Sequence, residues 1–339
     1  MGIKMRVCDW IPQYLQSIGV KRVHGLMGGG AAGLNDGFIK SGLPYICYHH
    51  EQGAGHAAIG ESKYTGQLAV VNPTTGCAGT NCATSVLDAW QDSVPVLFIS
   101  GNVSLNTCSG WINRTKGVNV RKYGIQEHHV VDTYKSMTKF ASFIISPDEV
   151  AYTLQEAVWR AMMGRPGPVW IDIPGDIQLA QMPENPAQFH PPVNLMKPQD
   201  YTVVKDLLAK AERPLILAGY GIKQSNTVDE FNQFIEKYQL PFASTYGGRD
   251  YTPGNHHFSM GTVGQKGSRA GNFAVQNCDL LLILGSSLNA SVVGYDPKQF
   301  SPASTKVIVD IDWNELNKDI VHIDHKYNDY LENFFEAML

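Results

Sequence analysis

Short apolar segments alternate with longer helical patterns along the chain, and this alternation restricts the possible folds more than any other feature. Segments that are apolar along their whole length predict buried strands. The segment 147–164 predicts a helix, because it follows a Ser146 N-cap and Pro147 and ends at Gly164. Such strands, alternating with helices, are typical of a parallel sheet covered on both faces. The strands predicted in the first half are 22–27, 45–50, 68–72, 95–101, 140–146 and 168–174.

A proline-rich stretch divides the sequence into two predicted domains. Residues 181–200 contain five prolines and no apolar period, which predicts a linker. After it the alternation resumes and predicts a second α/β domain at 201–339. A length of 339 residues also exceeds what one hydrophobic core usually supports. The strands predicted in this domain are 214–219, 241–245, 279–286 and 306–312.

The charge distribution excludes two classes of partner. Charged residues make up 17% of the chain, the net charge is −4 and no Lys/Arg block occurs. A typical soluble chain has about 25% charged residues. Nucleic acid and anionic membranes are therefore not expected as partners. A surface this poor in charge predicts that part of it is buried against another subunit.

Cysteine and histidine spacings predict no metal site. The six cysteines form no Cys-x-x-Cys pair, and scattered cysteines in a chain of this length are typical of reduced, intracellular thiols. The pairs His49–His50 and His256–His257 are adjacent and lack the i, i+4 helical spacing of zinc ligands. The first ten residues contain no long apolar run, so we expect neither a signal peptide nor a membrane anchor. The sequence thus predicts a cytoplasmic protein.

A glycine-rich turn leaves two interpretations open. Residues 28–33 fit Gly-x-Gly-x-x-Gly after a predicted strand, and Glu51 ends the next strand about twenty residues further on. In a Rossmann protein these features bind NAD: the glycines approach the pyrophosphate and the acidic residue binds the ribose. A tight turn with close packing explains the same glycines.

Further loops resemble those of thiamine-diphosphate enzymes, in the order of that family. The chain is most similar to the large subunit of acetolactate synthase and its relatives among 2-ketoacid decarboxylases and carboligases. The resemblance implies an α/β fold with two doubly wound parallel-sheet domains, a pyrimidine-binding domain at 1–180 and a Rossmann-like central domain at 201–339. It rests on "HHEQGAGHAAIGESKYTG" (49–66), "NPTTGCAGTN" (72–81), "VLDAWQDSVPVLFISGN" (86–102) and "GRPGPVWIDIP" (164–174), and on 213–221, 261–288 and 307–316 in the second half.

The resemblance gives Glu51 a catalytic role. In this family a carboxyl group at the matching position hydrogen-bonds to the aminopyrimidine ring, while the cofactor carries the difficult chemistry. Such a carboxyl group should be buried so that it can share a proton with the ring. The small residues Gly53, Ala54 and Gly55 leave room for a flat ring. Without the resemblance, Glu51 is interpreted as an acidic residue at a helix N-terminus, where the helix dipole favours a negative charge.

The resemblance also implies roles around Glu51. Cofactor contacts are expected from the turn beside the reacting centre and from the loop that flanks the pyrimidine. Gln126 is expected in the substrate pocket. His50, with its neighbour His49, is a second pocket candidate, and its alternative is a hydrogen-bonded structural histidine. The expected cofactor-binding residues are Gly28, Gly29, Thr75, Gly76 and Asn81.

The sequence lacks the family signature for diphosphate and Mg²⁺. That signature is Gly-Asp-Gly followed by Asn, whereas Gly175–Asp176 is followed by Ile177. We therefore expect this chain to bind only the pyrimidine half of thiamine diphosphate, to be inactive alone, and to need Mg²⁺ on a third domain. The chain is then half of a split enzyme with a separate partner chain, a truncated enzyme, or a non-catalytic scaffold descended from the family.

Two further expectations follow from the family. The segment 285–291 lacks the arginines that lie near the flavin in acetolactate synthases, so we expect no tightly held FAD. The family places its cofactor between subunits, which implies a homodimer or larger assembly through the pyrimidine domain. The helix from Gly53 to Gly60 and the helix around Trp90 are expected at or beside this contact.

Overall fold

The computed structural model describes residues 5–193, 196, 199–250 and 255–339. The chain forms two compact units, Met1–Val193 and Asn194–Leu339. This division falls inside the segment predicted as a linker, of which residues 194–195 and 197–198 lie outside the described residues. The earlier part of that segment contacts the first unit, where the Phe189 ring lies 5.5 Å from the Tyr152 ring.

The first unit is built on a parallel sheet of six strands, in the order β2-β1-β3-β4-β6-β5. Each described pairing in it is parallel, which confirms the predicted doubly wound fold. The strands are β1 Val23–Gly25, β2 Tyr45–Cys47, β3 Ala69–Asn72, β4 Val96–Asn102, β5 Phe140–Phe143 and β6 Val169–Pro174. The helices are α1 Val7–Ser17, α2 Ala32–Lys40, α3 Glu51–Thr65, α4 Cys77–Asn81, α5 Ala83–Gln91, α6 Ser109–Lys116, α7 Val130–Tyr134, α8 Val150–Met162 and α9 Gly175–Leu179.

Alternating strand residues cover the two faces of this sheet. Val70 and Leu97 belong to a core with helices α1, α2 and α8, whereas Val71 and Phe98 belong to a second core with α3, α5 and α7. This follows from the period of two along a strand. The predicted Ser146 cap is confirmed, since its side chain accepts from the Asp148 amide and Glu149 completes a capping box, but it caps a 3-10 turn at Pro147–Glu149, and α8 itself begins at Val150.

The second unit repeats this architecture with the strand order β12-β11-β10-β7-β8-β9. Its described pairings are also parallel. The strands are β7 Pro214–Ala218, β8 Phe242–Ser244, β9 Ser259–Thr262, β10 Leu280–Leu284, β11 Thr305–Asp310 and β12 His325–Asn328. The helices are α10 Thr202–Lys210, α11 Gly221–Gln224, α12 Val228–Tyr238, α13 Arg269–Asn277, α14 Ala290–Val293, α15 Trp313–Asn317 and α16 Leu331–Met338.

Sequence patterns did not predict the two edge strands, β9 and β12. Their sequences are "SMGT" and "HKYN", which contain few apolar residues. Both strands pair on one side only, and unlike β2 and β5, the predicted edge strands of the first sheet, they lack a continuous apolar run such as that of β10.

The chain leaves β1 and β3 in opposite directions. From β1 it passes through α2 to β2 on one side of the sheet, and from β3 it passes through α4 and α5 to β4 on the other side. Beyond the loops that follow β1 and β3, the chain therefore diverges to opposite sides at the carboxyl edge of the sheet. Such a switch point is the usual ligand-binding crevice of an open α/β sheet.

A buried carboxyl group joins the central strands β4 and β6. Asp172 is fully buried, and its oxygens accept hydrogen bonds from Ser100 Oγ at 2.6 Å and Asn102 Nδ2 at 2.8 Å. Trp170 Nε1 donates to the same Ser100 hydroxyl at 2.8 Å. Burial raises the pKa of Asp172 from 3.8 to about 7, more than these hydrogen bonds lower it.

This raised pKa predicts a specific pH dependence of stability. The folded state holds the Asp172 proton between pH 3.8 and about 7, whereas the unfolded state has lost it. The stabilising contribution is complete below the unfolded pKa and is lost as the pH rises through the folded pKa. We expect the free energy of unfolding of the native chain, relative to Asp172→Asn, to fall by a few kcal/mol between pH 4 and pH 8 in urea titrations. A difference that stays constant or rises over this range would contradict the assignment.

Candidate functional site

The loops after β1 and β3 contact each other closely at the switch point of the first sheet. A Cβ atom at Gly28 would overlap the Thr74 side chain, and one at Gly30 would overlap Thr75 Oγ1. Gly29 faces open space instead. Gly28 and Gly30 therefore allow two loops to meet, and Gly29 leaves backbone accessible beside them.

The loop after β3 also brings Gly76 against the segment that contains Gln126. Gly76 has φ +53°, and a Cβ atom on it would overlap the Gln126 carbonyl oxygen. Gln126 itself has φ +56°, and its side chain is exposed. Gln126, the residue predicted for the substrate pocket, therefore contacts the predicted cofactor-binding loop with its backbone.

The side chains of Glu51 and Asn81 are hydrogen-bonded to each other next to this loop. Glu51 is the first residue of α3, and its Oε2 accepts a hydrogen bond from Asn81 Nδ2 at 2.6 Å. Asn81 ends α4, the short helix that follows Gly76. The Glu51 Oε1 atom has no hydrogen-bond partner within the described ranges. A contact made by residues thirty positions apart therefore fixes one carboxylate oxygen and leaves the other available.

An open cavity of about 460 Å³ lies beside the Glu51 carboxylate. We expected Glu51 to be buried, and this is wrong for the isolated chain, because the side chain is half-buried. The small side chains around it leave one side of the carboxylate uncovered. The cavity is lined by Glu51, Cys77, Ala78, Thr80 and Asn81.

His50 occupies the N-cap position of α3. Its Nδ1 accepts from the Gln52 amide at 3.3 Å, and its Nε2 lies 3.3 Å from Asn81 Nδ2. Both ring nitrogens thus face donors, although a neutral imidazole can accept only one hydrogen bond. The ring is exposed. This geometry is that of a hydrogen-bonded structural histidine, and the substrate-pocket role remains a prediction.

Buried amides behind the glycine turn were not predicted from the sequence. Asn35 Oδ1 accepts from the Gly28 amide at 3.4 Å, and Asn35 Nδ2 donates to Asn72 Oδ1 at 2.7 Å. Gln178 Nε2 donates to the Gly30 carbonyl at 2.7 Å. These side chains hold the turn from inside the unit. Asn72 at the end of an otherwise apolar strand was the available sequence signal.

The crevice fits a polar ligand. Thr74 Oγ1 and Thr75 Oγ1 are buried without a hydrogen-bond partner among the described residues, and Thr75 is only 8% exposed. Buried hydroxyl groups normally find a partner. These hydroxyls pack against Gly28 and Gly30 and do not line the cavity beside Glu51; in that cavity Glu51 and Asn81 offer an acceptor and a donor. A cyclic base with its own donors and acceptors suits this set of groups.

The corresponding loops of the second unit are joined to each other. The Gly221 amide donates to the Gly285 carbonyl at 3.0 Å, and a Cβ atom at Gly219 would overlap the same oxygen. Gly285 has φ +58°. The backbones after β7 and β10 therefore touch at the switch point of this sheet.

Among the helices that the structure describes, none combines the length and the apolar composition that a membrane span requires.

Family models match both units. Residues 5–134 match the model described as "Thiamine pyrophosphate enzyme, N-terminal TPP binding domain", and residues 202–332 match "Thiamine pyrophosphate enzyme, central domain". Thiamine pyrophosphate is another name for thiamine diphosphate. The chain therefore belongs to the thiamine pyrophosphate enzyme family, as the sequence analysis predicted.

Individual relatives are acetolactate synthases. The chain is 32% identical over 315 residues to acetolactate synthase isozyme 2 large subunit of Escherichia coli K12, covering 93% of this chain and 55% of the relative. It is 33% identical over 313 residues to the acetolactate synthase large subunit of Lactococcus lactis, covering 90% and 52%. For the probable large subunit of Methanocaldococcus jannaschii the identity is 31% over 324 residues, covering 93% and 53%. The chain spans about half the length of these relatives. The match favours the thiamine interpretation of the glycine turn over the NAD interpretation.

Two glycines of the site should respond differently to substitution. Gly76→Ala introduces a Cβ atom where φ is +53° and the Gln126 carbonyl oxygen is in contact. We expect it to lower the free energy of unfolding by about 3 kcal/mol or more. Gly29→Ala is the matched control, because nothing lies within 4 Å of its Cβ position, and it should change stability little. Chemical denaturation of both variants measures this. Equal stability of the two variants would show that Gly76 is not held against the Gln126 segment.

Proposed function

We propose that this chain supplies the pyrimidine-binding half of the active site in an acetolactate-synthase-like 2-ketoacid decarboxylase or carboligase. The observation that carries the proposal is the Glu51 carboxylate beside an open cavity, with one oxygen held by Asn81 at 2.6 Å. The family of the chain and the acetolactate synthase names of its relatives support the reaction class.

The residues around the cavity would hold and orient the aminopyrimidine ring. Thiamine diphosphate, when bound, supplies the carbanion and electron-sink chemistry that 2-ketoacid cleavage needs. Glu51 would share a proton between its carboxylate and a ring nitrogen. Asn81 restrains Oε2, so that Glu51 keeps a single orientation without a rearrangement on binding. The small side chains of Cys77 and Ala78 would let a flat ring approach. Gly28 and Gly29 would present backbone groups beside the reacting centre, and Gln126 and His50 would border the substrate.

The remaining cofactor contacts are expected outside these 339 residues. The Gly-Asp-Gly signature for diphosphate and Mg²⁺ does not occur in the sequence, so oxygen ligands for Mg²⁺ would come from elsewhere on the same polypeptide or from a separate chain. We infer that residues 1–339 alone do not turn over substrate. We also infer no tightly held FAD. The absence of arginine in 285–291 and the hydrogen bond between Gly221 and Gly285 support this inference.

Glu51→Gln tests the proposed role directly. The chain is mixed with the separately produced diphosphate-binding domain of an acetolactate synthase, thiamine diphosphate, Mg²⁺ and pyruvate, and released CO₂ is measured. The native chain should be active, and Glu51→Gln should lose at least about a hundredfold of that rate, because an amide cannot share the proton. Exposed Glu184→Gln is the matched control and should retain full activity.

Calorimetric titration with thiamine diphosphate separates the other outcomes. Binding by the native chain that Glu51→Gln weakens would support the site even if the supplied domain gave no turnover. Equal turnover by Glu51→Gln would refute the role of Glu51. No binding under any of these conditions would favour the non-catalytic scaffold.

We also propose a homodimer, or a larger assembly, through helices α3 and α5. Leu87 and Trp90 of α5 are 42% and 40% exposed, and Gly60 of α3 faces open space. Apolar and small residues on one outer face suit an interface. The free state of all six cysteines supports a cytoplasmic location. The low charge content supports neither nucleic acid nor an anionic membrane as a partner.

Sedimentation measures the assembly. An obligate interface buries about 2,000 Å² or more, so the native chain should sediment as a dimer or larger at micromolar concentration. Leu87→Asp should shift it towards the monomer, because the substitution places a charge in the interface. Ile39→Asp is the control, since Ile39 is 55% exposed on α2, which covers the other sheet face. A monomer for the native chain, or equal effects of both variants, would contradict the proposed surface.

A further inference from the structure

Three metal-ligating side chains converge in the second unit. Glu236 lies in the last turn of α12, and His256 and His257 lie just before β9. His256 Nε2 is 3.3 Å from Glu236 Oε1, and His257 Nε2 is 3.9 Å from the same oxygen. The ligand atoms of the three residues all lie within 4.8 Å of one another.

These separations are close to those of a tetrahedral metal site. With bonds of about 2.0–2.1 Å to zinc, two ligand atoms of a tetrahedron lie about 3.3 Å apart. His256 Nε2 is already at this distance from Glu236 Oε1, whereas His257 Nε2, at 3.9 Å, has to move closer. The two imidazole rings stack with centroids 4.8 Å apart and planes inclined by 18°, so their Nε2 lone pairs run nearly parallel, and the His257 side chain, which is 64% exposed, has to turn before both nitrogens can bind one ion.

The surrounding structure orders His256, whereas the side chains of Glu236 and His257 are 49% and 64% exposed. The His256 side chain is 18% exposed and lies against the rings of Phe242 and Phe258, each with centroids 5.9 Å away. The Phe242 amide donates to the Phe258 carbonyl at 3.0 Å, which ties this segment to β8. Ligands on ordered elements lose less conformational entropy when they bind an ion.

The neighbouring lysine, Lys237, does not pair with the Glu236 carboxylate. Lys237 follows Glu236 in the sequence, but its Nζ donates to the Met338 carbonyl at 3.1 Å. Among the described residues, the ionic partners of Glu236 are the two histidines. The negative charge of Glu236 therefore faces the two imidazoles.

We propose that Glu236, His256 and His257 bind one divalent ion of the zinc type, with water in the remaining position. Two imidazole nitrogens and one carboxylate oxygen suit Zn²⁺ and similar borderline ions, whereas Mg²⁺ and Ca²⁺ prefer oxygen ligands alone. The ion joins the end of α12 to the start of β9, and so stabilises an edge of the second sheet.

Metal binding requires a change of tautomer in the neutral His256 ring. Its Nδ1 accepts from the Phe258 amide at 3.3 Å, so the neutral ring carries its proton on Nε2 and donates it to Glu236. A metal ion needs the Nε2 lone pair. The proton therefore moves to Nδ1, and the Phe258 bond, which is long, is lost.

Titration of the full chain with Zn²⁺ tests this site. After removal of metal with a chelator, calorimetry should show one Zn²⁺ bound per chain, and Co²⁺ should give the visible absorption of a tetrahedral nitrogen and oxygen site. His256→Ala, His257→Ala and Glu236→Gln should each weaken this binding by at least about tenfold. His322→Ala is the matched control, because His322 pairs with Asp324 at 3.3 Å without a second imidazole.

Thermal unfolding gives a second measurement that does not depend on the calorimetric fit. Zn²⁺ should raise the melting temperature of the native chain and of His322→Ala, and it should raise that of the three ligand variants much less. Circular dichroism establishes that each variant is folded. Binding that is equally tight in His257→Ala and Glu236→Gln, or that His322→Ala weakens as much, would overturn the proposal.

Discussion

The close approach of two loops at the carboxyl edge of the first sheet is the constraint on which the candidate site depends. The sheet topology separates the chain after β1 from the chain after β3, and this creates a crevice. Gly28 and Gly30 let the two loops touch where any side chain would overlap Thr74 and Thr75. Because the β3 loop is fixed there, the short helix after it carries Asn81 to the Glu51 carboxylate.

Buried polar side chains stabilise this approach from inside the unit. Gln178 is fully buried. Its Nε2 donates hydrogen bonds to the carbonyls of Gly30 and Ile173, and its Oε1 accepts one from the Leu34 amide. Losing such a residue would leave several buried backbone groups unsatisfied, at a cost of about 1–3 kcal/mol for each. The glycine turn is thus held by specific hydrogen bonds, and the accessible Gly29 backbone is ordered before any ligand arrives.

The sequence predicted the six strands of the first sheet, the four central strands of the second and the helix α8, because continuous apolar runs and capping residues are local signals. It predicted neither β9 nor β12, since these two edge strands, "SMGT" and "HKYN", have no apolar run. The sequence predicted the position of Glu51, because this residue follows a predicted strand and matches a carboxyl position of the family that the chain resembles. The hydrogen bond from Asn81 joins residues thirty positions apart, and the cavity beside Glu51 is lined by Cys77 and Ala78 from the same distant segment. Only the folded chain brings these residues together.

The central claim is that the cavity beside Glu51 receives an aminopyrimidine ring. A crystal structure of the chain with thiamine bound measures this most directly. We expect the ring in the cavity lined by Cys77, Ala78 and Asn81, with a ring nitrogen within hydrogen-bond distance of the Glu51 carboxylate. Thiamine bound elsewhere on the chain, with the Glu51 carboxylate facing only solvent and Asn81, would contradict the account.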